Sequence, residues 1–133
     1  MEDINTLIEN FSSLDDWEDK YQYLIELGEN LPTLDDKYKT EEFKVSGCQS
    51  QVWLVPIYKD GKLNFYADSD AVMVKGIIAV LLAIYANKSV KEIKEIEVEK
   101  FFAKLGLEEH LSPSRRNGMM SMIDKIRFYA NNT

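Results

Sequence analysis

Cysteine is almost absent from this chain, since Cys48 is the only one among its 133 residues. A single cysteine cannot close an intramolecular disulfide, and it supplies one sulfur ligand where a closed zinc or iron-sulfur site needs three or four. The composition therefore excludes a disulfide scaffold and a cysteine-rich metal site. Two uses remain for the sulfur of Cys48, namely passive packing or chemistry as a thiolate nucleophile on an accessible loop.

Positive charge is also scarce, with 16 lysines and arginines against 23 aspartates and glutamates, a net charge of −7 and a pI near 4.8. Proteins that bind a phosphate backbone need clustered Lys and Arg. The sequence also lacks a glycine-rich phosphate loop and a dinucleotide-binding fingerprint. We therefore expect no nucleic acid among its partners.

Long apolar runs are missing as well. The longest one, residues 71–86, is interrupted by Lys75 and is too short to span a bilayer. The first residues, Met1 to Asn5, are acidic and lack the basic start and apolar run of a secretory signal. We expect a cytoplasmic protein with no membrane partner.

Apolar periodicity and capping residues predict helices at both ends of a single domain, residues 1–133. Two helices are predicted before the hairpin, one over residues 4–11 and one from an Asp15 or Asp16 cap to residues 28–32. A central helix follows from a Ser69 cap to about residue 86. Two short helices then start at residues 89 and 99, and a last helix starts near residue 112. The expected buried stripes are Trp17, Tyr21, Leu24 and Ile25 in the second helix and Met119, Ile123, Ile126 and Ala130 in the last. Asp68 or Asp70 is also positioned to cap the central helix.

A hairpin is predicted between these helices. Residues 51–58 are β-branched and aromatic, Asp60-Gly61 favours a tight turn, and residues 63–67 alternate between apolar and polar. The fold class is therefore α+β, with helices packed on a small antiparallel sheet. Residues 33–44 show no steady period and are expected to form an extended, solvated connection. Pairing in the hairpin should bring the loop that holds Cys48 close to Asp68-Ser69-Asp70.

The neighbours of Cys48 favour chemistry over packing without excluding either. Gly47 removes a side chain that would crowd the sulfur, while Gln49, Ser50 and Gln51 supply donors that can stabilise negative charge. A packing cysteine is more naturally flanked by apolar residues.

Several other residues have a functional and a structural interpretation. His110, the only histidine, is either the base of a Cys-His hydrolase or a local hydrogen-bonding residue at a helix start. Arg115 and Arg116 stand in a first helical turn, which disfavours positive charge, so they form an anion or partner contact near Cys48 or a solvated pair. Asp68 and Asp70 are helix caps or paired acid-base carboxylates. Trp53 belongs to the core or to the pocket of the cysteine.

The sequence resembles the SufE family of sulfur acceptors in several motifs that occur in the family's order. These motifs are G-C-Q-S-Q-V-W-L around Cys48, D-S-D-A followed by V-K-G-I-I-A, H-L-S-P-S-R near the C-terminus, and W-E-D-K-Y-Q-Y-L-I-E-L-G-E-N-L-P near the start. The similarity covers nearly the whole chain. It departs from the family pattern at Arg116-Asn117 and at the variable hairpin turn.

The resemblance implies a SufE/IscU-like fold and an accessory role in sulfur transfer. It implies that Cys48 takes persulfide sulfur from a cysteine desulfurase, stimulates that enzyme and delivers the sulfur to an iron-sulfur cluster scaffold complex. The pyridoxal phosphate would belong to the desulfurase, and this chain would bind no cofactor and no metal. The residues expected to shape the loop and the docking surface are Gly47, Gln49, Ser50, Gln51, Trp53, Asp68, Asp70 and Arg115.

Three alternatives stay open. The chain could accept sulfur from a paralogous desulfurase, as a CsdE-like protein. A thiol hydrolase would use Cys48 with His110 as its base. In a pure interaction domain, Cys48 would be incidental.

Overall fold

The structure is a computed structural model that describes residues 3–107 and 111–132. Its elements are α1 (Ile4–Ser12), α2 (Trp17–Glu29), a 3-10 turn (Asp36–Tyr38), β1 (Val52–Lys59), β2 (Lys62–Ser69), α3 (Val72–Tyr85), α4 (Val90–Glu95), α5 (Val98–Leu105) and α6 (Pro113–Asn131). The predicted α+β class, with helices on a small antiparallel sheet, is confirmed. None of the described helices is both long and apolar enough to cross a membrane.

Helices α2, α4 and α6 begin where a local side chain accepts a hydrogen bond from the first-turn backbone. The carboxylate of Asp16 accepts from the backbone N–H of Asp19 at the start of α2, and Ser89 with Glu92 forms a capping box on α4. The hydroxyl of Ser112 accepts from Arg115 N–H at the start of α6. Gly106 ends α5 in the left-handed region, with φ of 70°. These predicted boundaries are confirmed.

The predicted cap of α3 is wrong. The N-cap residue of α3 is Ala71, and no side chain caps this helix. Ser69 belongs to β2, where it pairs with Val52, and its hydroxyl accepts from Ala71 N–H at 3.2 Å. Strand pairing therefore takes the residue that would have started the helix, and neither Asp68 nor Asp70 replaces it.

β1 and β2 form an antiparallel hairpin in which Val52 pairs with Ser69 and Lys59 with Lys62. Asp60 and Gly61 both have positive φ, 53° and 75°, as a two-residue turn of this kind requires. In this register Pro56 lies in a pair without ladder hydrogen bonds, so its missing N–H leaves no gap between the strands.

The connection before β1 is more ordered than the sequence predicts. Leu54 N–H donates to the carbonyl of Phe43 at 2.9 Å, and Val45 N–H donates to the carbonyl of Val52 at 2.8 Å. These bonds place the end of the segment along the outer edge of β1. Leu34 is buried in the same segment and packs against Trp53. The prediction of a solvated connection over residues 33–44 is therefore wrong for its apolar residues.

The core is centred on α3, whose residues from Gly76 to Tyr85 are all buried. α2 packs against α3 at a point where Gly28 and Gly76 bring the two backbones into close contact. Because α2 also faces solvent, only Leu24 of its expected stripe is fully buried, and Trp17, Tyr21 and Ile25 are half-buried. The predicted stripe of α6 is buried throughout.

Candidate functional site

Cys48 lies on a short loop, residues 46–51, that is held at both ends. At one end, Val45 N–H donates to the carbonyl of Val52. At the other, Gln51 N–H donates to the carboxylate of Asp70 at 3.0 Å, and Asp70 N–H donates back to the carbonyl of Gln51 at 3.3 Å. The expected proximity of the cysteine loop and residues 68–70 is confirmed by these two bonds.

The loop rests on α6. The thiol of Cys48 donates to the carbonyl oxygen of Gly118, with 3.6 Å between sulfur and oxygen. Gly118 is buried, and a Cβ at this position would lie 3.6 Å from the sulfur, an ordinary van der Waals distance. The backbone of Gly47, with φ of 88°, passes beside Ser121 one turn further along α6.

A cavity of about 220 Å³ opens beside Cys48. It lies between the loop, the start of α3 and the first three turns of α6. Its described lining consists of Cys48, Gln49, Ser50, Ala71, Met73, Val74, Ile77, Ser112, Ser114, Arg115, Gly118 and Met122. The wall is thus mostly apolar, with a few hydroxyl groups and one guanidinium at its rim.

Burial governs the ionisation of the thiol. Cys48 is half-buried, and this desolvation raises the pKa of its thiol above the ordinary cysteine value. Arg115 is the charged residue among the described residues that line the cavity. The resting thiol is therefore protonated at neutral pH, and Arg115 supplies a cationic side chain at the exposed rim of the same cavity.

The structure brings together only part of the predicted site. Cys48, Gln49, Ser50 and Arg115 line one cavity. Gln51 and Asp70 bind each other at the base of the loop and do not line that cavity. Both are exposed.

Trp53 and Asp68 lie away from the sulfur. Trp53 is buried on the other face of the hairpin with Leu34 and Val55, so it is a core residue and does not line the cavity of Cys48. Asp68 pairs with Trp53 in the register and forms ion pairs with Lys39 at 3.4 Å and Lys75 at 3.6 Å. Side chains alternate along a strand, and this places residue 53 opposite the face on which residue 52 meets the main core.

Arg116 and His110 are the remaining candidate residues. Arg116 lines another cavity, with Glu99, Phe102, Leu111, Met119 and Met120, so the two neighbouring arginines serve different surfaces. His110, the base of the alternative hydrolase, lies outside the described residues. Within residues 3–107 and 111–132, no group of three or more His, Cys, Asp or Glu side chains is placed to hold a metal ion.

Sequence reasoning missed the apolar wall of the cavity. Met73, Val74 and Ile77 were part of a helix that is apolar on nearly every face, so nothing distinguished them from the core. A signal did exist on α6, because Arg115, Gly118 and Met122 are spaced by three and four residues and therefore share one helical face. Arg115 marks the exposed end of that face.

The chain is similar to known proteins over nearly its whole length. The chain matches the SufE family, described as an Fe-S metabolism associated domain, over residues 5–130. It is 46% identical over 131 residues to an uncharacterized SufE-like protein of Rhizobium meliloti, covering 96% of this chain and 94% of that protein. A similar protein of Rhizobium etli, also uncharacterized, is 45% identical over 132 residues, covering 96% of this chain and 88% of that protein.

The fold is also found in a solved structure. The solution structure of a hypothetical protein from Thermus thermophilus superposes with a TM-score of 0.78 at 23% identity, covering 97% of this chain and 93% of that one. At this identity the likeness establishes the fold alone. The family match over residues 5–130 carries the assignment further: this chain belongs to the SufE family.

Proposed function

We propose that this chain is a sulfur acceptor that takes a persulfide sulfur from a cysteine desulfurase onto Cys48, stimulates that enzyme and delivers the sulfur for iron-sulfur cluster assembly. The observation that carries the proposal is the position of the only cysteine, half-buried beside a cavity of about 220 Å³ on a loop held at both ends. Such a cavity has room for one additional sulfur atom. Membership of the SufE family supports the same chemistry.

The transfer is balanced without an external oxidant. The thiolate of Cys48 attacks the outer sulfur of a persulfide on the desulfurase. A new S–S bond forms on Cys48 while the S–S bond on the desulfurase breaks, and the desulfurase cysteine leaves as a thiolate. One sulfur atom moves between the two proteins, and the pyridoxal phosphate that generated it stays with the desulfurase.

Cys48 must lose its proton before it can attack. Burial raises the pKa of the thiol, so the resting protein contains little thiolate at neutral pH. The described lining of the cavity offers Arg115 as a positive charge but no carboxylate. We propose that docking of the desulfurase completes the site and that Arg115 stabilises the thiolate and the persulfide anion.

The loaded persulfide has no partner within this chain. Because the sequence holds no second cysteine, the persulfide cannot be resolved into an internal disulfide. It must therefore be passed to another protein, which we propose is an iron-sulfur cluster scaffold complex. In this role the chain is an accessory protein of a desulfurase, and we place the transfer in the cytoplasm.

Intact-mass measurement tests the proposal. The purified protein is incubated with an active cysteine desulfurase and free cysteine, and its mass is measured before and after treatment with a reductant. We expect a gain of one sulfur atom that the reductant removes. The matched control is Cys48→Ser, which should keep the fold and gain nothing.

A gain of sulfur that persists in Cys48→Ser would assign the acceptor to another residue. No gain in the wild-type protein, with several desulfurases shown to be active, would refute the sulfur-acceptor function. Testing desulfurases in parallel also separates the natural partner from a paralogous enzyme.

Arg115 is tested in the same assay. Arg115→Ala should slow loading of Cys48 by about fivefold if the guanidinium contributes ~1 kcal/mol of charge stabilisation, and Arg115→Lys should recover part of that rate. Equal rates and equal desulfurase binding for all three proteins would make Arg115 a solvated surface residue.

A further inference from the structure

The loop that holds Cys48 has a second contact with α6, beside the one made by the sulfur. A Cβ on Gly47 would lie 2.6 Å from the hydroxyl oxygen of Ser121 and 3.5 Å from its Cβ. Real Cβ atoms essentially never lie this close to another heavy atom, so a side chain at residue 47 would displace the Ser121 hydroxyl. The Cα of Gly47 thus faces the side chain of Ser121, which is half-buried, and the gap between them is too small for another side chain.

This contact is well placed to control Cys48, the next residue in the chain. Both ends of the loop are fixed by backbone hydrogen bonds to β1 and to Asp70. Gly118 and Ser121 are one turn apart on the same rigid helix, and they contact Cys48 and Gly47 respectively. A displacement of Gly47 away from α6 therefore also lifts the sulfur away from the Gly118 carbonyl.

We propose that Ser121 is a positioning residue for Cys48: the small size of its side chain sets how deeply the sulfur is seated against Gly118 and the cavity. The positioning is a property of the isolated chain. Only its consequence for sulfur transfer rests on the proposed function.

The pKa of the Cys48 thiol should respond when the loop moves away from α6, and the charged groups around the loop bear on that response. Arg115 is charged and lines the cavity, and the carboxylate of Asp70 is bonded to Gln51 N–H at the far end of the loop. On the other side, a groove of about 310 Å³ is lined by Val45, Ser46, Ser121, Asp124, Lys125 and Phe128. Lifting the loop exposes the thiol to solvent and removes the desolvation that now raises its pKa.

The experiment measures the rate of Cys48 alkylation by iodoacetamide against pH in three single variants and the wild-type protein. Ser121→Ile adds a β-branched side chain, which has one strongly preferred rotamer in a helix and fills two positions around Cβ. Ser121→Ala removes the hydroxyl without adding bulk. The control Asn117→Ile adds the same side chain at an exposed position of α6.

We expect the alkylation midpoint of Ser121→Ile to fall towards that of a free cysteine. A fall of one pKa unit increases the thiolate fraction at neutral pH about tenfold. Ser121→Ala and Asn117→Ile should keep the wild-type profile. A wild-type profile in a folded Ser121→Ile protein, judged by far-UV circular dichroism and a cooperative thermal transition, would overturn the proposal.

If Ser121→Ile does not fold, Ser121→Val makes a smaller change at the same position and is judged by the same criterion. Persulfide loading distinguishes this inference from the proposed function. A wild-type protein that accepts no sulfur, combined with a lowered midpoint in Ser121→Ile, refutes the function and retains the positioning role. Normal persulfide loading of the wild-type protein, combined with an unchanged midpoint in Ser121→Ile, retains the function and refutes the positioning role.

Discussion

Tyr85 and Tyr129 place their phenol hydroxyls in different surroundings, since Tyr85 is fully buried and Tyr129 half-buried. The hydroxyl of Tyr129 donates to the carbonyl of Leu54 at 3.2 Å. Tyr85 is 1% exposed, and its hydroxyl has no hydrogen-bond partner within the described residues. Burial, offset in part by the charge of Arg127, raises the pKa of Tyr85 to about 12. A buried hydroxyl without a partner costs free energy that a hydrogen-bonded one recovers.

Replacing each tyrosine by phenylalanine separates these cases. We expect Tyr85→Phe to leave the free energy of unfolding unchanged or to increase it by about 1 kcal/mol, because an unsatisfied polar group is removed. Tyr129→Phe should lose about 1 kcal/mol, because it strands the Leu54 carbonyl. Urea unfolding at neutral pH measures both values, and a loss of stability in Tyr85→Phe would show that its hydroxyl is satisfied.

The raised pKa of Tyr85 predicts that the free energy of unfolding depends on pH in the alkaline range. The folded-state pKa of Tyr85 is raised above its unfolded value near 10, so the folded state holds the phenolic proton more tightly. This contribution to stability is fully present below pH 10 and is lost as the pH rises towards 12. Tyr85→Phe should therefore lose less stability than the wild-type protein across that interval.

The packing of α2 on α3 depends on two glycines that the sequence does not identify as packing residues. A Cβ on Gly28 would lie 2.6 Å from the backbone nitrogen of Gly76, and a Cβ on Gly76 would collide with the carbonyl of Leu24. Backbone atoms within a helix cannot move separately, so a side chain at either position forces the helices apart.

We therefore expect Gly28→Ala to be destabilising. Alanine gains about 1 kcal/mol of helix propensity over glycine, but overpacking in a close helix contact costs about 1–3 kcal/mol or more. The matched control is Gly118→Ala in α6, whose Cβ would meet only Cys48, with its sulfur at 3.6 Å and its Cβ at 4.0 Å, both ordinary van der Waals distances. It should be neutral or stabilising, and thermal melts of the two variants compare them directly. An equal or higher melting temperature for Gly28→Ala would show that α2 and α3 are not in close contact.

The glycines also show where sequence reasoning succeeds and fails. Helix caps such as Asp16 and Ser112 and the Asp60-Gly61 turn are decided by hydrogen bonds and φ angles within a few residues, so local patterns predict them. Gly28 looks locally like a helix terminator. Its role depends on Gly76, and no local pattern contains that information.

The hairpin divides the protein into two unequal apolar regions. The main core lies on the face of β1 that carries Val52 and Leu54, and the outer cluster on the opposite face consists of Leu34, Trp53 and Val55. The sequence predicts the loop, its closure near Asp70 and the presence of Arg115, since these follow from the hairpin and from the start of α6. It does not predict the outer cluster, because residues 33–44 reach that face only through bonds to the edge of β1.

This division predicts that the outer cluster and the cysteine site respond independently to substitution. Trp53→Leu removes part of the outer cluster. It also removes the contact of the Lys39 ammonium with the indole ring, whose centroid lies 5.6 Å from the ammonium nitrogen. We expect a loss of about 1–3 kcal/mol in the free energy of unfolding from lost packing. The alkylation profile of Cys48 should stay at its wild-type midpoint, because Trp53 does not line its cavity.

Met122→Ala is the comparison that makes this test decisive. Met122 is 3% exposed and lines the cavity of Cys48, so its truncation should cost about 2–5 kcal/mol and also change the alkylation rate. Urea unfolding and iodoacetamide labelling of both variants give the two quantities on the same samples. If Trp53→Leu changed the alkylation of Cys48 as much as Met122→Ala, the two faces of the hairpin would be coupled. The indole would then support the cysteine loop through the hairpin backbone, in addition to filling the outer cluster.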